Sequence, residues 1–203
     1  MQFDATFLDL VLRWAHVLVV IQWIGWLAVM KGTQGVWMPA VQVEGEGRAT
    51  ARAFLIKGRH GLKGMSLFAL ILGLAVFFVD MMGLKVYSIP EGGGLSGRGR
   101  FIMWGMMLGI ALWALTWFWL LPALKKVRAT LDGGDAPDGG LLARLGLGLR
   151  VGAILAITVL YVMLVGPHLG AFHYGHIGLA VVLGFVGERV LSFCGSFGPC
   201  ARC

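Results

Sequence analysis

The sequence predicts an all-α integral membrane protein, a bundle of about five transmembrane helices. Two observations carry this. The chain is 58% hydrophobic and only 13% charged, where an average soluble domain is roughly 25% charged. Its apolar residues also fall into five stretches long enough to span a bilayer, which takes roughly 20 mostly apolar residues each. The 32 glycines and eight tryptophans fit the same reading. Glycine lets helices approach closely in lipid, and tryptophan anchors at the two interfaces.

The predicted spans run from about Phe7 to Met30, Gly64 to Gly83, Phe101 to Ala123, Leu149 to Gly166 and Phe172 to Phe193. Pro167-His168-Leu169-Gly170-Ala171 separates the last two, which makes them an antiparallel hairpin. The segment 49–57 reads as a helical lead-in lying at the interface before the second span. Asp132 to Gly140 is Gly- and Asp-rich turn sequence. Residues 1–193 therefore form one bundle, and 194–203 a short Cys-containing tail. The first apolar stretch has no basic segment before it and no A-x-A site, so no cleavable signal peptide is expected.

A net charge of +7 invites a nucleic-acid reading, but the bases sit beside apolar runs, where they orient helices. No nucleic-acid partner is expected; the partner is the lipid bilayer. Lys31, Arg48, Arg52, Lys57, Arg59 and Lys63 crowd the first connection, and Lys125, Lys126, Arg128, Arg144 and Arg150 the third. The positive-inside rule places both in the cytoplasm, with the N-terminus outside and the C-terminus inside. The sequence has no G-x-S-x-G, no P-loop and no dinucleotide-binding glycine pattern between a strand and a helix.

Ionisable groups inside a bilayer are costly, so each is a functional candidate. His16 stands about three turns into the first span. An imidazole at that depth takes either a haem iron or a polar group on a neighbouring helix. Arg13 lies one turn nearer the surface on about the same face, placed for a propionate or a lipid headgroup. Trp23, two turns deeper, is placed to pack on a flat macrocycle. His168, His173 and His176 gather at the outer end of the hairpin, and His173 and His176 share a helix face. His16 with His173 or His176 would give the two axial ligands of a b-type haem, with His16 and His176 as the metal ligands. At about 1.5 Å rise per residue, His16 lies about 14 Å below its helix end and His176 about 6 Å below its own. Helix tilt of about 20° absorbs part of that mismatch.

His60 and Lys63 share a face at the mouth of the second span, suited either to an anionic group such as a propionate or to interfacial anchoring. Asp80 is placed to pair with Lys85 or Arg13, or to cap its helix. Cys194, Cys200 and Cys203 lie in the last ten residues; Cys200 and Cys203 have CxxC spacing, but no His follows as covalent haem attachment requires. They read as reduced thiols or a weak metal site.

These residues resemble a known family. Leu12-Arg13-Trp14-Ala15-His16, followed by Trp23-Ile24-Gly25, resembles the first helix of the membrane domain of bacterial membrane-bound urate oxidases. His60-Gly61-Leu62-Lys63, the Pro122 helix end followed by Lys125 and Lys126, and Met163 to His168 are similar to further short motifs of that domain, across about 150 residues. Four-helix protoporphyrinogen oxidases and copper-resistance membrane domains share the first-helix His. The resemblance implies a membrane module that passes electrons to a cytochrome c. The family carries a C-terminal cytochrome c domain, whereas this sequence ends at Cys203, and His60 lacks the family's flanking tryptophans.

Three functions are thus expected of such a chain. The first is a haem b membrane subunit in electron transfer with a cytochrome c or a quinone-linked partner. The second is a non-catalytic structural subunit of a larger membrane complex. The third is a urate-oxidase-like enzyme.

Overall fold

The computed structural model describes residues 5–80, 96–165 and 173–194. Its elements are α1 (Ala5–Gly32), α2 (Gln34–Ala40), α3 (Glu46–Phe78), α4 (Gly97–Leu115), a π-helical turn (Thr116–Leu120), α5 (Leu121–Asp132), α6 (Gly139–Val165) and α7 (Tyr174–Cys194). Among the described residues there is no strand. Five helical stretches are long and apolar enough to cross a membrane: Phe7–Gly32, Glu46–Phe78, Gly99–Asp132, Gly139–Val165 and Tyr174–Phe193. The all-α membrane bundle is therefore what the chain forms. Backbone polar groups in lipid must be satisfied within the segment, and only helices and closed barrels do this.

The helices outrun the spans that hydropathy predicts. The lead-in at 49–57 is helical, and it is the first part of α3, which runs unbroken from Glu46 to Phe78. Ala51, Leu55, Gly58 and Leu62 are buried along one side of it. α6 likewise begins at Gly139, ten residues before the predicted span, and buries Leu142, Leu145 and Leu149. These polar-flanked turns stay helical because protein, rather than lipid, covers their apolar stripe. α2 was not foreseen. Its Trp37 is buried and donates its indole N–H to the Met30 carbonyl at 3.0 Å, folding the chain back beneath α1.

The third helical stretch runs on from Gly99 to Asp132, but its backbone is distorted ahead of Pro122. Pro122 has no N–H to give the carbonyl four residues earlier and its ring crowds that turn. The backbone relieves this as a π turn over Thr116–Leu120. The Thr116 hydroxyl donates to the Leu112 carbonyl at 2.9 Å within the distortion.

α1 packs along α3 and also meets α6 and α7; α6 packs along α7 and α4. The connections after α2 and α5 meet at one end of the bundle. There Arg52 pairs with Asp132, and Arg48 donates to the Gly134 carbonyl at 3.0 Å. We call this the basic end. Its half of the bundle holds the main core, with Leu27, Met30, Leu55, Leu120, Leu124 and Leu145 buried. A smaller cluster of Phe101, Val162 and Ala180 closes the other half. Large side chains such as Trp14, Leu18, Phe118 and Val182 face outward, as lipid-facing positions should.

Candidate functional site

Between the two core clusters lies a cavity of ≈ 270 Å³, walled by α1, α3, α4 and α6. Most of its lining is aliphatic and aromatic. His16, Trp23 and Trp113 stand in its wall, and Arg13 and Asp80 form a polar edge.

His16 reaches this wall because α3 has no side chain in its way. A Cβ at Gly73 would stand 2.8 Å from His16 Cε1, inside any real contact, so only glycine lets the ring come this close to α3. The Ala69 backbone approaches the ring, yet Nδ1 is enclosed with no hydrogen bond of ordinary geometry. The expected interhelical partner for this imidazole is therefore not supplied at Nδ1.

The tryptophans divide by place. Trp37, Trp117 and Trp119 donate their indole N–H groups to the Met30 carbonyl, the Ser66 hydroxyl and the Arg144 carbonyl, at 3.0, 3.0 and 3.1 Å. Trp23 and Trp113 line the cavity, and the Nε1 of each is buried without a partner. Trp23 is 4% exposed. A buried donor left unsatisfied costs about 1–3 kcal/mol. His16, Trp23 and Trp113, each with a buried ring nitrogen that lacks a protein hydrogen bond of ordinary geometry, line this one cavity and mark it as a place where polar ligand atoms are wanted.

At the polar edge, Arg13 donates from Nε to Asp9 at 2.8 Å and from Nη2 to Asp80 at 2.6 Å. The Asp80 side chain is 2% exposed. Of the partners expected for Asp80, Arg13 is in place and Lys85 lies outside the described residues. Arg13, which the sequence offers to a propionate or headgroup, is thus engaged by two carboxylates.

The remaining candidates lie elsewhere. His176 accepts or donates through Nδ1 to the Tyr161 hydroxyl at 3.2 Å and packs edge-on against Phe101, with centroids 6.0 Å apart. Phe101 lines the cavity and His176 does not, so the two imidazoles of the expected haem pair do not share one wall. His173 is exposed at the head of α7, where its carbonyl accepts from the His176 N–H. His60 and Lys63 are both exposed on α3; His60 Nδ1 lies 2.8 Å from the Ile56 carbonyl, and neither residue reaches the cavity. His168, Lys85, Cys200 and Cys203 lie outside the described residues. Among the described residues no three His, Cys, Asp or Glu side chains converge to hold a metal ion.

No family model, no curated protein and no solved structure matches this chain. The site is therefore read from its own geometry. Sequence reasoning singled out His16, Arg13 and Asp80 but passed over Trp113 and a buried carboxylate, Glu188, at 2% exposure on α7. Glu188 had a signal: an ionisable group inside an apolar run. Trp113 had none, because a tryptophan in a span is ordinary and only the packing reveals its lone N–H.

Proposed function

We propose that this protein is a membrane electron-transfer subunit whose cavity beside His16 binds the ring of a lipid-soluble quinone. One observation carries the reading: His16, Trp23 and Trp113, each with a buried ring nitrogen lacking a hydrogen bond of ordinary geometry, line a single apolar cavity. A quinone ring is apolar on its faces and presents two carbonyl acceptors, which suit the Trp23 and Trp113 N–H groups. A bound quinone supplies two-electron, two-proton exchange. His16 is the group placed to hold or release a proton beside it, and Arg13 with Asp80 keeps the cavity's edge polar. Drug-sized ligands fill roughly 300–1,000 Å³, so ≈ 270 Å³ suits one substituted ring, whose tail would leave between helices into lipid. Partners of matching chemistry are a cytochrome c or a quinone-linked membrane subunit, in keeping with the resemblance to urate-oxidase membrane domains.

The second reading is a b-type haem held by His16 alone. The Gly73 cradle favours it, since an axial ligand needs its ring rotation fixed. A macrocycle would have to part α4 from α6, and its propionates would meet an Arg13 already shared by two carboxylates.

Titration of the detergent-purified protein with a short-chain quinone, followed by tryptophan fluorescence, separates these. Saturable quenching is expected, weakened roughly 2–10-fold by Trp23→Phe, the effect of one neutral hydrogen bond. A Soret band that shifts on dithionite would transfer the cavity to haem. No quenching and a featureless visible spectrum would leave the structural-subunit role.

For orientation, we propose the N-terminus outside and the basic end in the cytoplasm of a bacterial inner membrane. Support comes from the two basic connections lying at one end. A single Cys at Lys125 should be labelled by an impermeant reagent only after permeabilisation; labelling in intact cells would invert the topology.

A further inference from the structure

A second pocket, ≈ 420 Å³, opens near the basic end between α1, α2, α6 and α7. Its centre is Glu188. Lys31 Nζ stands 3.3 Å and Arg150 Nε 3.5 Å from Glu188 Oε1, while Arg189 Nε stands 3.9 Å from Oε2. Ser192 donates to Oε1 at 3.0 Å. Three cations around one carboxylate leave the pocket positive. Each cation also keeps donors in reserve, because a guanidinium carries five N–H groups and an ammonium three.

The acceptor side is equally unfinished. Glu188 Oε2 and Gln34 Oε1 are both buried with no hydrogen-bond donor, and both residues line the pocket. The Glu188 side chain is 3% exposed. A ligand suited to this pocket brings an anion to the arginines and hydroxyl donors that small side-chain rotations would let Gln34 and Glu188 accept.

The level in the membrane narrows the source. Trp119 donates its indole N–H to the Arg144 carbonyl, and Trp anchors of this kind mark the headgroup layer. Arg150 is less than two turns along the same helix, and its side chain is 42% exposed. Arg189 is 75% exposed. Cationic side chains open to the headgroup layer, beside a buried acceptor pair, fit a phospholipid.

We infer that this pocket binds the headgroup of an anionic, hydroxyl-bearing phospholipid of the phosphatidylglycerol type, with its phosphate on Lys31, Arg150 and Arg189 and its glycerol hydroxyls on Gln34 and Glu188. The excess positive charge selects a net-negative lipid over a zwitterionic one, and the unfilled acceptors select a headgroup with hydroxyls. This site is independent of the quinone reading.

Native mass spectrometry of the full chain tests it, after incubation with phosphatidylglycerol or phosphatidylcholine of identical acyl chains. One phosphatidylglycerol per chain should be retained and phosphatidylcholine lost. Arg189→Gln, at a position with little packing to lose, should lower retention roughly fivefold, and the Arg150→Gln/Arg189→Gln double variant further. Arg189→Lys should retain most of the binding. Glycerol 3-phosphate should not displace the lipid; complete displacement would mark a soluble-phosphate site and overturn the lipid assignment. Equal retention of the two lipids, or unchanged phosphatidylglycerol in the double variant, would overturn it as well.

Discussion

Replacing Arg13 by Met should destabilise the bundle by about 2–4 kcal/mol, read as a lowered midpoint in denaturing-detergent titration of the purified protein. Removing one partner of a fully buried ion pair costs about 3–5 kcal/mol, because the other charge stays buried. Arg13 is 34% exposed at its side chain, which places the expectation somewhat below that range. Asp80 is the charge that suffers: its carboxylate is 2% exposed and loses the guanidinium now 2.6 Å away. Adding Asp80→Leu to the Arg13→Met background should recover most of the loss, since an apolar pair of similar size replaces a buried ion pair at little cost. Arg13→Lys should fall between, with one point charge in place of a fork that spans Asp9 and Asp80. An unchanged midpoint in Arg13→Met would show that the network does not hold α1 to α3.

The second large effect is expected at Gly73. A Cβ there would stand 2.8 Å from His16 Cε1. The obstructed atom is the far end of a side chain, so the ring should swing away at small cost in stability. Ligand binding should not survive the move. Gly73→Ala is expected to weaken quinone affinity at least about tenfold, comparable to His16→Ala, by removing the imidazole's contact worth about 1.4 kcal/mol or more. Gly184→Ala is the matched control. Its Cβ would meet the Ile154 carbonyl oxygen at 2.7 Å, a backbone atom that cannot rotate aside. That variant should lose about 1–3 kcal/mol of stability through overpacking and bind quinone normally wherever it stays folded. If Gly73→Ala binds as the native protein does, the ring against α3 is not part of the site.

The two variants also show where sequence reading stops. The five spans were legible because lipid is a demanding solvent. A segment with enough consecutive apolar residues has one way to satisfy its backbone there, so Phe7 to Met30 announces itself without knowledge of any neighbour. The distortion ahead of Pro122 was not read from the sequence, although the missing N–H is a local signal. His16, Arg13 and Asp80 were legible as candidates because an ionisable group in an apolar run is expensive wherever it points.

What each does depended on neighbours far along the chain. Arg13 and Asp80 are 67 residues apart, and nothing local to either says which will meet the other. The room for His16 is supplied by a glycine on another helix. His176 is, like His16, an imidazole at an apolar helix, yet Tyr161 and Phe101 occupy it and it does not line the cavity. The early turns of α6 read as a connection, and those of α3 as an interfacial lead-in, because hydropathy counts only lipid as an apolar partner, whereas here protein covers Leu55 and Leu145. The sequence by itself therefore determined that the chain is a five-span bundle with costly polar groups at particular depths. Only the tertiary structure decided which of those groups are satisfied by protein and which, like the ring nitrogens of the cavity-lining His16, Trp23 and Trp113, are left without a hydrogen bond of ordinary geometry. Hydropathy is a property of each segment alone, while hydrogen-bond satisfaction belongs to pairs that only packing brings together.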